Sequence, residues 1–280
     1  MICPVCKQKL VFNDIVAICN SNHAFPVKNE AYQIQTPEFK AKLDVFLTAF
    51  EASRKNRPTF SIEVLNNLPY TVNDGEWKLK QDDLNLIKTF GLSNGKALDV
   101  GCWNGWLSNQ LVNLGLEVEA YDTFISNEDG LGVKKHYKND WRTYQMRLDQ
   151  IQLFEESFDL IVFNRNVGYF EDLEKALVKA KSLLKPNGIL LLTGVNYIKN
   201  PDRIILGLER SGEEFQKKYN TSFFLYDFDG YFSDKAMQLI KTLNIQLKLY
   251  PTRKLASFKN KFFPAKPIYF YGIYRNEGRV

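Results

Sequence analysis

From about Trp77 onward the chain alternates amphipathic stretches with short apolar runs, and the alternation predicts a sequence of helices and strands. A helix over "KQDDLNLIKTFGL" precedes the strand "KALDVG"; the helix "GWLSNQLVNLG" and the strand "EVEAYD" follow. After an irregular segment come the strand "FDLIVFN", the helix "EDLEKALVKAKSLL", a stop at "KPNG" and the strand "ILLLTG". The remainder predicts a helix around Asp234 to Leu243, a strand "IQLKLY", a basic loop and a final strand "IYFYGIYR". Apolar strands separated by amphipathic helices imply a mostly parallel sheet covered on both faces.

The first part of the chain has a different rhythm. "CPVCKQKLVFNDIVAICNSNHAFPVKNEAYQI" alternates short apolar runs with turn residues, as a small β-ribbon does. Then Phe39, Leu43, Phe46, Leu47 and Phe50 recur at helical spacing, with Thr36 as N-cap and Pro37 at the first helical position. "RPTFSIEVLNNLPYTVNDGEW" is rich in turn residues and reads as a linker. The expected organisation is a ribbon over 1–35, a helical connector and linker over 36–76, and an α/β domain over 77–280 with an insertion near 197–233.

The 280 residues suffice for a sizeable core, and the net charge of +5 is mild. Its distribution matters more than its size. Arg253, Lys254, Lys259, Lys261, Lys266, Arg275 and Arg279 face the single acid Glu277 in the last thirty residues, interleaved with Phe258, Phe262, Phe263, Tyr269, Phe270 and Tyr271. Such a tail suits an anionic partner such as RNA, or is simply a final strand beside a solvated lysine-rich loop. No stretch approaches the roughly 20 apolar residues that span a bilayer, and Met1-Ile2-Cys3-Pro4 leaves no room for a signal peptide, so the expectation is a cytoplasmic protein without a membrane partner.

Two groups of residues carry candidate chemistry. Cys3, Cys6, Cys19 and His23 fall as C-x2-C-x12-C-x3-H, a spacing that suits a closed tetrahedral zinc site of structural type. A ribbon this short buries too little apolar surface to fold alone, so a metal would hold it together. Asp99-Val-Gly101-Cys-Trp-Asn-Gly105 is the second group: a glycine-containing turn between strand and helix, where an open parallel sheet binds its ligand. It matches neither G-x-G-x-x-G nor the phosphate loop G-x-x-x-x-G-K-[ST].

This turn resembles motif I of the class I S-adenosylmethionine-dependent methyltransferases, and further matches follow in that family's order. Asp122, at the end of "EVEAYD", resembles the acid that accepts hydrogen bonds from the cofactor ribose; Asp140 and Trp141 in "KNDW" resemble the adenine-contacting pair. "ESFDLIVFNRNVGYFEDLEKALVKAKSLLKPNGILLLTG" resembles the fourth strand, the next helix and the "LKPGG" turn, with Asn187 replacing the first glycine. The resemblance implies a Rossmann-like, mostly parallel seven-stranded sheet and S-adenosyl-L-methionine as cofactor, held by Asp99, Gly101, Trp103, Gly105, Asp122, Asp140, Trp141 and Asn164. Trp103 occupies the family's most tolerant glycine position, where its indole either walls the cofactor or packs as core. Cys102 is expected to be a small buried residue.

Methyl transfer needs positioning more than catalytic side chains. Asn164 and Tyr169, in "FNRNVGYFED" after the fourth strand, are the candidates for orienting the acceptor, whereas His136 is expected on an exposed strand edge. The [DN]-P-P-[FYW] element of exocyclic-amine methyltransferases is absent there. The ribbon resembles that of bacterial ribosomal RNA guanine methyltransferases; the body, with G-W-L-S and D-G-L-G, resembles uncharacterised bacterial methyltransferases. A small-molecule acceptor, lidded by the aromatic insertion, is the leading expectation. The alternatives are an RNA methyltransferase and a non-catalytic scaffold.

Overall fold

Each apolar run named above becomes a strand of one sheet or a helix lying on it. The computed structural model describes residues 1–57, 59–263 and 266–278; Pro58 of the expected linker and Arg279 of the basic tail lie outside them. The ribbon consists of β1 (Leu10–Phe12), β2 (Val16–Cys19), β3 (Ala24–Lys28) and β4 (Ala31–Gln33). Helices α1 (Pro37–Ser53), α2 (Ile62–Asn66) and α3 (Gly75–Lys88) follow. Thr36 caps α1 as expected, its hydroxyl accepting from the Phe39 amide. The short α2 lies within the stretch expected to be linker.

The α/β body continues with β5 (Lys96–Val100), α4 (Trp106–Asn113), β6 (Glu117–Asp122), β7 (Arg142–Gln145) and β8 (Phe158–Asn164). Then come α5 (Leu173–Ser182), β9 (Leu184–Tyr197), α6 (Asp202–Tyr219), α7 (Asp234–Thr242), β10 (Gln246–Leu249), α8 (Lys254–Asn260) and β11 (Ile268–Arg275). The sheet is eleven-stranded, in the order β1-β2-β3-β4-β7-β6-β5-β8-β9-β11-β10. β4, β7, β6, β5, β8 and β9 run parallel, while β11 enters antiparallel beside β9.

Two differences from the sequence reading bear on the site. β7 lies inside the segment read as irregular: four residues with only one polar position exposed give too short a run to signal a strand. The basic loop after β10 also contains a helix, α8. The ribbon, for its part, joins the sheet edge, since β4 pairs with β7 at Tyr32↔Tyr144 and the Ile2 amide donates to the Leu153 carbonyl at 2.8 Å.

Apolar layers cover both faces. One cluster gathers Tyr121, Tyr144, Phe154, Phe158 and Phe163 on one side; the other gathers Trp77, Leu84, Trp106, Leu107 and Trp141 beneath α3 and α4. A smaller cluster of Leu43, Phe46 and Leu225 joins α1 to the insertion after β9. The sheet's carboxyl ends therefore open between α3, α1 and the insertion.

Candidate active site

The turn after β5 rests on two positive-φ glycines, Gly101 (+66°) and Gly105 (+78°), and on Trp103, also left-handed at +51°. Neither glycine tolerates a side chain: a Cβ on Gly101 would overlap Asn166 Nδ2, and one on Gly105 would meet the Trp141 ring at 2.6 Å. A left-handed backbone is costly for a bulky residue, and Asp122 offsets it. The Trp103 amide donates to Asp122 Oδ2 at 2.8 Å, and the Phe124 amide donates to the other oxygen at 3.0 Å.

Asp99 supports the turn from below, accepting from the Ser108 hydroxyl on α4 at 2.7 Å. Burial pushes its carboxyl up to about 7; the Ser108 bond pulls it back and the nearby Asp122 charge adds to the rise. Burial likewise raises Asp122 against its backbone donors. Asp99 Oδ1 and Asn166 Oδ1 are buried acceptors without partners, although Asn166 Nδ2 donates to the Val100 carbonyl at 2.5 Å. The unspent Asn166 acceptor beside the turn suits a ligand with N–H and O–H donors, whereas Asp99 is sealed beneath the turn. S-adenosylmethionine, with its ammonium group and ribose hydroxyls, is such a ligand.

Trp103 turns its indole toward α3. It stacks on Trp77 with ring centroids 6.3 Å apart, and the Lys80 ammonium lies 4.6 Å from the Trp103 ring and 4.0 Å from that of Trp77. Lys80 is buried and pairs with Glu76 at 2.7 Å, and burial lowers its pKa.

Beyond the turn, Asn164 ends β8 in a polar network that sequence reasoning missed. Its amide nitrogen donates to Asp83 Oδ2 at 3.1 Å and to the Thr193 hydroxyl at 2.5 Å. Asp83, fully buried on α3, also accepts from the Tyr250 hydroxyl at 2.5 Å and pairs with Arg165 at 3.4 Å. Tyr250 in turn accepts from the Gly194 amide at 2.8 Å. A signal was present: Lys80 and Asp83 fall on the α3 stripe that Trp77, Leu84 and Ile87 bury, and polar groups at core positions need partners.

Tyr169 lies five residues beyond Asn164, on the short turn Val167–Tyr169, 44% exposed, with its ring 5.4 Å from Phe228 of the insertion. That insertion reaches the sheet ends, since Gly230 donates to the Gly168 carbonyl at 2.8 Å and Tyr226 lies under the Arg147 guanidinium at 4.8 Å.

Asp140 is a correction. Glu119 pairs with Arg142 and Asp122 with Gln145, so Asp140 and Trp141 precede the first residue of β7, at the end of the strand remote from Asp122. The Asp140 side chain is 89% exposed and pairs with Lys134; the Trp141 ring, core beneath α4, reaches back to pack against Gly105 of the turn. Placing Asp140 at the cofactor end required a strand ending before it, whereas β7 starts after it; Met146 and Arg147 occupy that end. His136 terminates a 3-10 turn, Leu131–His136, rather than lying on a strand edge. Cys102 is buried, as expected, and burial raises its thiol pKa.

In the ribbon, the ligand atoms of Cys3, Cys6, Cys19 and His23 lie within 4.8 Å of one another. Cys6 and Cys19 sulfurs are 3.5 Å apart, and His23 Nδ1 is 3.7 Å from Cys3 and 3.4 Å from Cys19. A tetrahedron with metal–sulfur bonds of about 2.3 Å has edges near ~3.7 Å, so this donor set fits zinc. The Gln8 amide holds the Cys6 thiol down at about 6, favouring the thiolate that a metal needs.

A family model described as a methyltransferase domain matches residues 76–222. The chain belongs to that family. The ubiquinone biosynthesis O-methyltransferase of Actinobacillus pleuropneumoniae serotype 7 (strain AP76) is 30% identical over 131 residues, 44% of this chain and 55% of that one. The mitochondrial ubiquinone biosynthesis O-methyltransferase of Mus musculus is 30% identical over 127 residues, 40% of this chain and 34% of that one. The chain spans about half the length of the bacterial relatives it matches. Among solved structures, a putative sarcosine dimethylglycine methyltransferase from Galdieria sulphuraria shares the fold, with TM-score 0.51 and 12% identity over 84% of this chain and 99% of that one. The fold is thus that of the class I S-adenosylmethionine-dependent methyltransferases, whose sheet this family member extends with its own ribbon strands.

Proposed function

We propose that this chain is an S-adenosylmethionine-dependent methyltransferase acting on a small molecule through an O–H or N–H group. The observation that carries the reading is the meeting, at the carboxyl ends of β5 and β6, of the Gly101–Gly105 turn with the buried Asp122. In the bound state the donor supplies an electrophilic methyl group on a sulfonium, and the protein's work is to hold and orient.

Asp122 accepts from the ribose hydroxyls with lone pairs that its two backbone donors leave free. Gly101 and Gly105 let the backbone approach the ligand, and Asp99, tied to Ser108, keeps the turn in place. The Trp103 amide orients Asp122, while its indole and that of Trp77 wall the side facing α3. Asn164 has both amide protons committed to Asp83 and Thr193, so its carbonyl oxygen is the group left to accept from the acceptor's O–H or N–H. Tyr169 and the aromatic insertion cover the acceptor and exclude water. We assign the Cys3, Cys6, Cys19 and His23 set to a structural zinc ion, because four protein ligands leave no open position.

The relatives named for ubiquinone biosynthesis O-methylation support a low-mass acceptor over a nucleic acid. The purified protein is incubated with methyl-labelled S-adenosylmethionine and a cell extract split into small-molecule and macromolecular fractions. Label is expected in the small-molecule fraction. Label confined to the RNA or protein fraction would overturn the assigned substrate class.

A further inference from the structure

The basic, aromatic-rich stretch from Lys254 to Lys266 takes no part in the site described above. Its helix α8 has two unlike sides. Ser257 is fully buried, and its hydroxyl accepts from the Tyr269 amide at 3.3 Å, fixing that side to β11. Leu255 and Phe258, at i and i+3, share the outward side, and Phe262 on the turn after α8 packs against Phe258; the three are 68%, 57% and 72% exposed. Phe263 adds a further ring at 54% exposure, with the Lys266 ammonium 4.8 Å from its centroid.

Lysines surround these rings. Lys254, Lys259, Lys261 and Lys266 are all exposed, and no acidic residue occurs between Pro251 and Asn276. Large apolar side chains held in water and ringed by cations have a partner that satisfies both features: a bilayer surface, with acyl boundary for the rings and anionic headgroups for the ammonium groups. We propose that α8 and the turn after it dock this protein on an anionic lipid surface.

An RNA strand fits less well. Single-stranded bases need open aromatic faces to stack on, whereas Phe258 and Phe262 pack edge to face on each other at 5.8 Å and 80°, and Leu255 offers no stacking face. A surface-lying helix also needs no spanning segment, so the absence of a membrane-crossing helix among the described residues does not bear on it.

The position of the patch gives docking a consequence. Arg253, at the start of α8, pairs with Asp82 at 2.9 Å, next to the Asp83 that anchors Asn164. Pro267, one residue past Lys266, helps line a cavity of about 210 Å³ with Arg165, Tyr169 and Gly194. Docking therefore brings that cavity beside the lipid surface, where an apolar acceptor is concentrated.

The test is co-sedimentation of the full chain with vesicles of phosphatidylcholine alone and of phosphatidylcholine mixed with phosphatidylglycerol. The readout needs neither cofactor nor acceptor, so it stands apart from the methyl-transfer reading. Binding to the mixed vesicles, weakened by salt and by omitting the anionic lipid, is expected. The pair Phe258→Ser and Phe262→Ser should lower partitioning at least about tenfold, and Lys259→Ala and Lys261→Ala about fivefold each, with thermal midpoints unchanged because these side chains are exposed. Failure to bind anionic vesicles at low salt overturns the proposal, as does binding that survives both pairs of substitutions. Retention on RNA without vesicle binding overturns it too and assigns the patch to nucleic acid.

Discussion

Asp83 carries more of the site's geometry than its place in an ordinary-looking helix suggests. A fully buried carboxyl is stable only when its oxygens are satisfied, and here Asn164 and Arg165 at the end of β8 and Tyr250 after β10 satisfy them. The same bonds hold the Asn164 amide in one orientation. Tyr250→Phe keeps the ring and deletes one donor to Asp83, so it should destabilise the fold by about 1–3 kcal/mol, seen as a lower urea midpoint with an unchanged slope. A midpoint equal to that of the parent would mean that Asp83 is satisfied without Tyr250. At this scale the sequence was partly readable. Asp122 and the two glycines announced themselves through a turn that only certain residues can make, whereas Thr193 and Tyr250 gave no local sign because their roles arise from strands distant in the chain.

At the scale of elements, the ribbon is an extension of the sheet rather than an appendage. β4 covers the edge of β7 in parallel pairing, and a parallel edge strand needs such cover. Metal loss should therefore be felt beyond the cysteines. Elemental analysis is expected to find one zinc per chain, and a strong chelator or Cys6→Ser should lower the thermal midpoint by roughly 10 °C or more. Hydrogen exchange should rise first in β3, β4 and β7 while β5, β8 and β9 stay protected. Uniform loss of protection, or none, would contradict this coupling. Alternation and capping made the ribbon, α1 and the strands β5, β6, β8 and β9 legible in advance. β7 was not, since its brief "RTYQ" run takes its stability from neighbours on both sides, and missing it put Asp140 at the wrong end.

For the whole molecule, the strand order sets the function. β5, the first strand of the body, sits centrally, with β6 and β7 to one side and β8 and β9 to the other, so the strand order reverses at β5, whose carboxyl end carries the Gly101 turn. Phe50 of α1 packs against Phe124, after β6, and against Phe223 of the insertion after β9. The α8 patch was visible only as composition until the helix arranged its rings on one side.

The central claim is that Asp122 and the turn beside it form the site of the methyl donor. Titration calorimetry with S-adenosylhomocysteine, comparing the parent chain with Asp122→Ala and Asp140→Ala, tests it most directly. Saturable binding to the parent is expected, with an affinity about tenfold to a hundredfold weaker for Asp122→Ala and no change for Asp140→Ala. Absence of heat from the parent, or equal affinity in the folded Asp122→Ala protein, would contradict it.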